Sequence, residues 1–280
     1  MNDVSMHQSL LVYRGFRYLK FASALVAAAL LAYWLHKPFA GIANGGTWLG
    51  YTLGAISALL IVWLIWLGVR KRRYGIGKVK LEDWVSAHVY LGISLVVVAT
   101  LHTGFQFGWN LHTFAYCLMV LVVVSGMFGV YTYIRYPRLM TENRHGQTLD
   151  KMLAQIADLD KEMRGIGMGL GEEINRVLLR AAQETRIGGS LGAMLSGTDR
   201  NCPTTAARLA IEQAKSAAGG ETATRRLISL LVRKEELLRR ARRDVQLASL
   251  MQVWLFAHVP LSVGLLAAVA AHIVSVFFFW

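Results

Sequence analysis

Charge is scarce in this chain: Asp, Glu, Lys and Arg make up 17% of its 280 residues, against 55% hydrophobic residues. Soluble domains carry about 25% charged residues, and here the apolar residues gather in runs of about twenty separated by basic stretches. That distribution excludes a soluble globular protein and describes a polytopic membrane protein. Cysteine is also nearly absent. Cys117 lies in an apolar run and Cys202 in a polar one, with no CxxC or CxxCH pattern, which excludes a disulfide framework, a zinc site and a covalently attached c-type haem. Acidic residues are outnumbered 17 to 30 by Lys and Arg, giving a net charge of +13. The cations flank apolar runs, where they meet anionic lipid headgroups or fix orientation, so membrane lipid is the expected partner and nucleic acid is not. No fixed-period repeat is present. No small-residue cleavage site closes the first apolar run, which reads as a retained helix.

Five runs are long enough to span a bilayer: 19–36, 48–69, 84–106, 111–135 and 251–278. Each supplies about twenty residues at about 1.5 Å per residue, the thickness of a hydrocarbon core. Arg14, Arg17 and Lys20 precede the first span. Arg70, Lys71, Arg72, Arg73, Lys78 and Lys80 join the second to the third, and Arg135 and Arg138 follow the fourth. The opposite side offers only Lys37. The positive-inside bias therefore predicts a bacterial inner-membrane protein with its N-terminus in the cytoplasm. The aromatic end Phe277-Phe278-Phe279-Trp280 is then expected at the periplasmic interface.

The expected organisation is all-α, with transmembrane helices one to four in 1–136, a helical cytoplasmic insertion over 137–250 and a fifth transmembrane helix in 251–280. Helical spacing supports the insertion: Leu149, Met152, Leu153, Ile156, Leu159 and Met163 form one stripe. Ile174, Val177, Leu178 and Ala181 form a second. A longer stripe joins Leu227, Leu230, Leu231, Lys234, Leu237, Leu238, Ala241, Val245 and Ala248, with no breaker before the fifth span. One helix is thus expected to run from the insertion into the membrane. Arg239-Arg240-Ala241-Arg242-Arg243 marks the headgroup level or a solvated face. The glycines at 165, 167, 169 and 171, and at 188, 189 and 192, follow no recognisable strand, so they read as helix–helix turns rather than phosphate loops.

Histidine is costly inside apolar helices, and four of the eight are placed there. His88 and His102 lie on the third span and His258 and His272 on the fifth, fourteen positions apart in both cases. Fourteen residues return a side chain to within about 40° of its starting direction and displace it about 21 Å along the axis. Both spans run the same way, so His88 pairs in level with His258 and His102 with His272. No Cys, Asp or Glu accompanies them to complete a zinc-like shell, whereas two facing imidazoles suit the axial positions of a haem iron. Gly92, Gly126 and Gly129 offer close approach for a flat macrocycle, or ordinary helix packing, and Phe105, Trp254 and Phe256 are candidates to close its edges. Pro260, two residues after His258, should bend the fifth span and free the carbonyl of Phe256. His112 at the start of the fourth span is a candidate contact for a haem propionate or a quinone headgroup. His36 ranks below it, and His7 and His145 carry no assignment.

This pattern resembles the dihaem transmembrane b-type cytochromes, and the ferric-reductase type more than respiratory cytochrome b, because the ligands fall on the third and fifth spans. The resemblance covers the haem core, with Trp84 to Thr103 and Trp254 to Val274 as ligand helices. It implies two non-covalent haems b with His88, His258, His102 and His272 as axial iron ligands. No flavin and nicotinamide domain is expected after the fifth span, no Pro-Glu-Trp-Tyr segment occurs in the sequence, and the 137–250 insertion belongs to neither pattern. The expected function is a membrane electron-transfer subunit working with cytoplasmic or periplasmic redox proteins. The alternatives are a quinol-oxidising or metal-reducing oxidoreductase and a haem-free scaffold that recruits partners.

Overall fold

A computed structural model describes residues 12–40, 44–72, 81–218 and 222–278, and all regular structure among them is helical. The helices are α1 (Tyr13–Ala40), α2 (Trp48–Arg72), α3 (Leu81–Thr103), α4 (Leu111–Arg144), α5 (Leu149–Gly167), α6 (Glu172–Gln183), α7 (Leu191–Ser196), α8 (Pro203–Ala218) and α9 (Thr222–Phe278). His7, Arg73, Lys78, Lys80, Phe279 and Trp280 lie outside the described residues. Five helices, α1, α2, α3, α4 and α9, are long and apolar enough to cross a membrane. The chain is built as an integral membrane protein.

Helix ends depart from the apolar runs where local geometry overrides hydropathy. Arg14, Gly15 and Phe16 take left-handed dihedrals, so regular α1 begins after them. The third span stops at Thr103 instead of 106, because Gly104 and Phe105 turn left-handed with φ of 58° and 61°. The fourth continues past Pro137 to Arg144. Its last turn is held from another helix: Arg144 grips Asp244 through two hydrogen bonds of 2.8 and 2.6 Å, and Asn143 donates to the Arg240 carbonyl. α9 is one helix of 57 residues containing Pro260.

The chain forms two compact units, Met1–Tyr131 with Trp254–Trp280, and Thr132–Val253. The first is inverted relative to a soluble core. Phe21, Leu31, Trp34, Leu59, Val124, Phe256 and Val263 are all more than half exposed, an outer face that hydrocarbon solvates at no cost. Its interior holds small residues, Ala22, Ala29, Ala87, Ala99, Ala115 and Ala268, which let helices approach closely where packing alone drives association. α3 packs closely against both α1 and α2. At the start of α3 the buried carboxylate of Asp83 accepts from the Tyr18 hydroxyl at 3.0 Å and faces Arg14 at 3.6 Å. Trp63 stacks on Trp84 with ring centroids 5.0 Å apart.

The second unit has a conventional apolar core. Met152, Ile156, Leu159 and Met163 from α5, and Leu178 and Ala181 from α6, meet Leu227, Leu230, Leu231, Leu237 and Leu238 of α9. Lys234 sits on the same α9 face at 1% exposure because its ammonium is paired, donating to Asp160 at 2.6 Å and to the Ala181 carbonyl at 2.9 Å. The glycines between 165 and 171 fall at the end of α5 and the turn into α6, and Gly188 and Gly189 in the turn before α7.

Candidate functional site

The first unit builds its histidine sites from four helices. On α3, the His88 Nδ1 lies 3.1 Å from the Leu64 carbonyl oxygen, and the His102 Nδ1 lies 2.7 Å from that of Gly50. A carbonyl only accepts, so each Nδ1 carries the proton and each Nε2 carries the lone pair. That is the tautomer a metal-ligating imidazole adopts when its second nitrogen is tied down. Gly50 and Leu64 on α2 are themselves fourteen residues apart, so one helix presents matching acceptors at both levels. The approach at Gly54 is close enough to require glycine: a Cβ there would lie 2.7 Å from the His102 ring.

On α9 the partners are side chains. The His258 Nδ1 lies 2.7 Å from the Ser125 hydroxyl. Its ring stacks on Trp254 at 5.2 Å between centroids, and the Trp254 indole N–H donates to the Ser125 carbonyl at 2.7 Å. α4 is shaped to receive both rings. A Cβ at Gly126 would lie 3.5 Å from the His258 ring, and one at Gly129 would lie 2.0 Å from that of Trp254. His272 shares a hydrogen bond between its Nδ1 and the Nδ1 of His112, with ring centroids 4.5 Å apart.

The histidines meet in two sets. His88 and His258 lie within electrostatic reach of each other. His102, His272 and His112 form the other set, with the His102 and His272 centroids 6.1 Å apart and their planes at 81°. Two imidazoles bound through Nε2 to opposite sides of one metal, each by a bond of about 2 Å, have centroids about 6 Å apart. The donor chemistry at both levels, the tautomers of His88 and His102 and the His102–His272 spacing fit a group that offers two axial positions.

An apolar layer separates the sets. Leu95 lies seven residues from both α3 histidines, Leu265 seven from both α9 histidines, and Met119 seven from both His112 and Gly126. Seven residues return to nearly the same helix face, so these side chains lie between the two sets. With Ile61 and Ala99 they form one buried cluster, Leu95 at 1% and Leu265 at 3% exposure.

The other sequence candidates fall in different places. At Gly92 an added Cβ would meet nothing within 4 Å. Phe105 and Phe256 are 61% and 78% exposed, and of the three aromatic candidates Trp254 is the one that packs on a histidine. His145 occupies the turn after α4. Gly50, Gly54, Leu64 and Ser125 escaped the sequence reading. The Gly50-x-x-x-Gly54 spacing inside an apolar run was the signal available for the first two. A backbone acceptor such as Leu64 leaves none.

Among the described residues no group of three or more His, Cys, Asp and Glu side chains is arranged to hold a metal ion. No family model, curated protein or solved structure matches the chain.

Proposed function

We propose that this chain is a membrane electron-transfer subunit that carries electrons across the bilayer through two bis-histidine b-type haems. The ligands are His88 with His258 at one level and His102 with His272 at the other. The observation that carries this reading is the pair of α3 histidines, fourteen residues apart, whose Nδ1 atoms both face backbone carbonyls. A bound haem supplies a one-electron iron couple. The protein's own part is to hold the imidazoles, set their tautomers and keep water from the layer between them. Bis-histidine ligation leaves no open iron position, which favours electron transfer over oxygen binding. The basic residues flanking the spans favour a cytoplasmic N-terminus and a cytoplasmic 137–250 region, where a soluble redox subunit would dock.

The test is a haem assay with reduced-minus-oxidised spectra on detergent-purified protein. Two non-covalent haems per chain are expected, and none in folded protein would leave a haem-free scaffold. A quinol-oxidising or metal-reducing enzyme is the second reading. It is favoured by His112, a polar side chain beside His272, and sensitivity to quinone-site inhibitors would distinguish it.

A further inference from the structure

We propose that Ser125 is a positioning residue for His258, fixing the tautomer and donor strength of that ligand and so the redox potential of the haem at the His88 level. The proposal rests on the dihaem reading above. A serine hydroxyl has one proton to give. The Ser125 Oγ lies 2.8 Å from the Val122 carbonyl oxygen, which cannot donate, and 2.7 Å from the His258 Nδ1. The proton therefore goes to Val122, and the Oγ lone pair accepts the Nδ1–H of His258. This leaves the Nε2 lone pair for iron.

The arrangement is held from both sides. The Trp254 indole N–H, one turn before His258, donates to the Ser125 carbonyl at 2.7 Å. The bare Gly129 gives that indole room, since a Cβ there would lie 2.0 Å from it. One residue of α4 thus engages two rings of α9, through its side chain and its backbone. His88 across the site is held by a carbonyl, which side-chain substitution does not remove. Ser125 is the exchangeable partner at this level.

Donation of Nδ1–H to an acceptor makes the imidazole a stronger base and favours ferric iron. Removing the acceptor should therefore weaken the ligand and raise the potential. In Ser125→Ala, one of the two haems should bind about 10- to 100-fold more weakly. Its midpoint potential should move upward, its low-spin ferric electron paramagnetic resonance signal should shift, and the second haem should keep its values. Ser125→Thr retains the hydroxyl and should restore all three. His258→Ala, measured in parallel, should lose one haem outright.

If His258→Ala loses one haem but Ser125→Ala leaves affinity, potential and signal as in the parent, the Ser125 proposal is overturned and the ligand assignment stands. If Ser125→Ala and Ser125→Thr lower both haems equally, the residue acts on packing, and the proposal is again overturned. A parent protein without haem overturns both readings.

Discussion

The two histidine levels share one scheme and differ at one corner. Both take an α3 histidine held by an α2 carbonyl and an α9 histidine held from α4. At the His88 level the α4 contribution is a hydroxyl, flanked by Gly126 and an indole stacked on His258. At the His102 level it is a third imidazole, His112, and the crowding falls instead on Gly54 of α2. The hydroxyl gives its one proton to the Val122 carbonyl and so faces His258 as an acceptor. The imidazole has two tautomers and exchanges roles with the residue it faces. The hydroxyl therefore fixes the orientation of His258, whereas the His112–His272 pair has two ways to share its proton.

The largest perturbation should erase the comparison. Leu95→Asp places a carboxylate in the dry layer common to both levels, at a cost of about 2.5–3.5 kcal/mol for a charge at mid-membrane. Haem content at both levels and the thermal midpoint of the purified protein should fall together. Retention of one level would show that the layer is not shared. Next come the four proposed ligands. His102→Ala or His272→Ala should leave one haem per chain, and His88→Ala or His258→Ala should leave the other, distinguishable by potential. Equal haem content in all four variants and the parent would end the ligand assignment.

A smaller, one-sided effect is expected from Gly54→Ala, because the new methyl would meet the His102 ring at 2.7 Å. Affinity at the His102 level should drop by about tenfold or more, as when a ligand's support is disturbed, while the His88 level keeps its spectrum. The smallest effect belongs to His112→Ala. Since water can replace its nitrogen near the membrane interface, haem should be retained at both levels. The signal of the His102 level alone should shift in the ferric spectrum. Loss of haem there would make His112 a structural requirement instead of an adjustable partner.

The five apolar helices were legible because a bilayer demands about twenty consecutive apolar residues and little else produces such runs. The α9 stripe was legible for a similar reason, and it placed Lys234 on the buried face. The neutralising partner was not legible, because Asp160 comes from α5 and no period in α9 points to it. At the site, the intervals between histidines were visible, as was the closeness of Gly126 and Gly129 to that region. The α2 contribution was not, since carbonyls occur at every residue and only the fold decides which two meet an imidazole. Helix ends were less legible than spans: left-handed residues follow Thr103 at the end of α3, and α4 continues past Pro137 to Arg144, where Asp244 pairs with its last residue.

The apolar layer of Leu95, Leu265, Met119, Ile61 and Ala99 has an electrical consequence. It acts as the dielectric of a small capacitor whose plates are the two histidine levels, separated by about 21 Å of a core about 30 Å thick. On the proposed reading, one electron moved between the levels crosses about two-thirds of the membrane voltage. A potential of 100 mV then adds or removes about 1.5 kcal/mol. The balance between the two sites would thus be set jointly by their ligands and by the charge on the membrane, and it would shift when the membrane is depolarised.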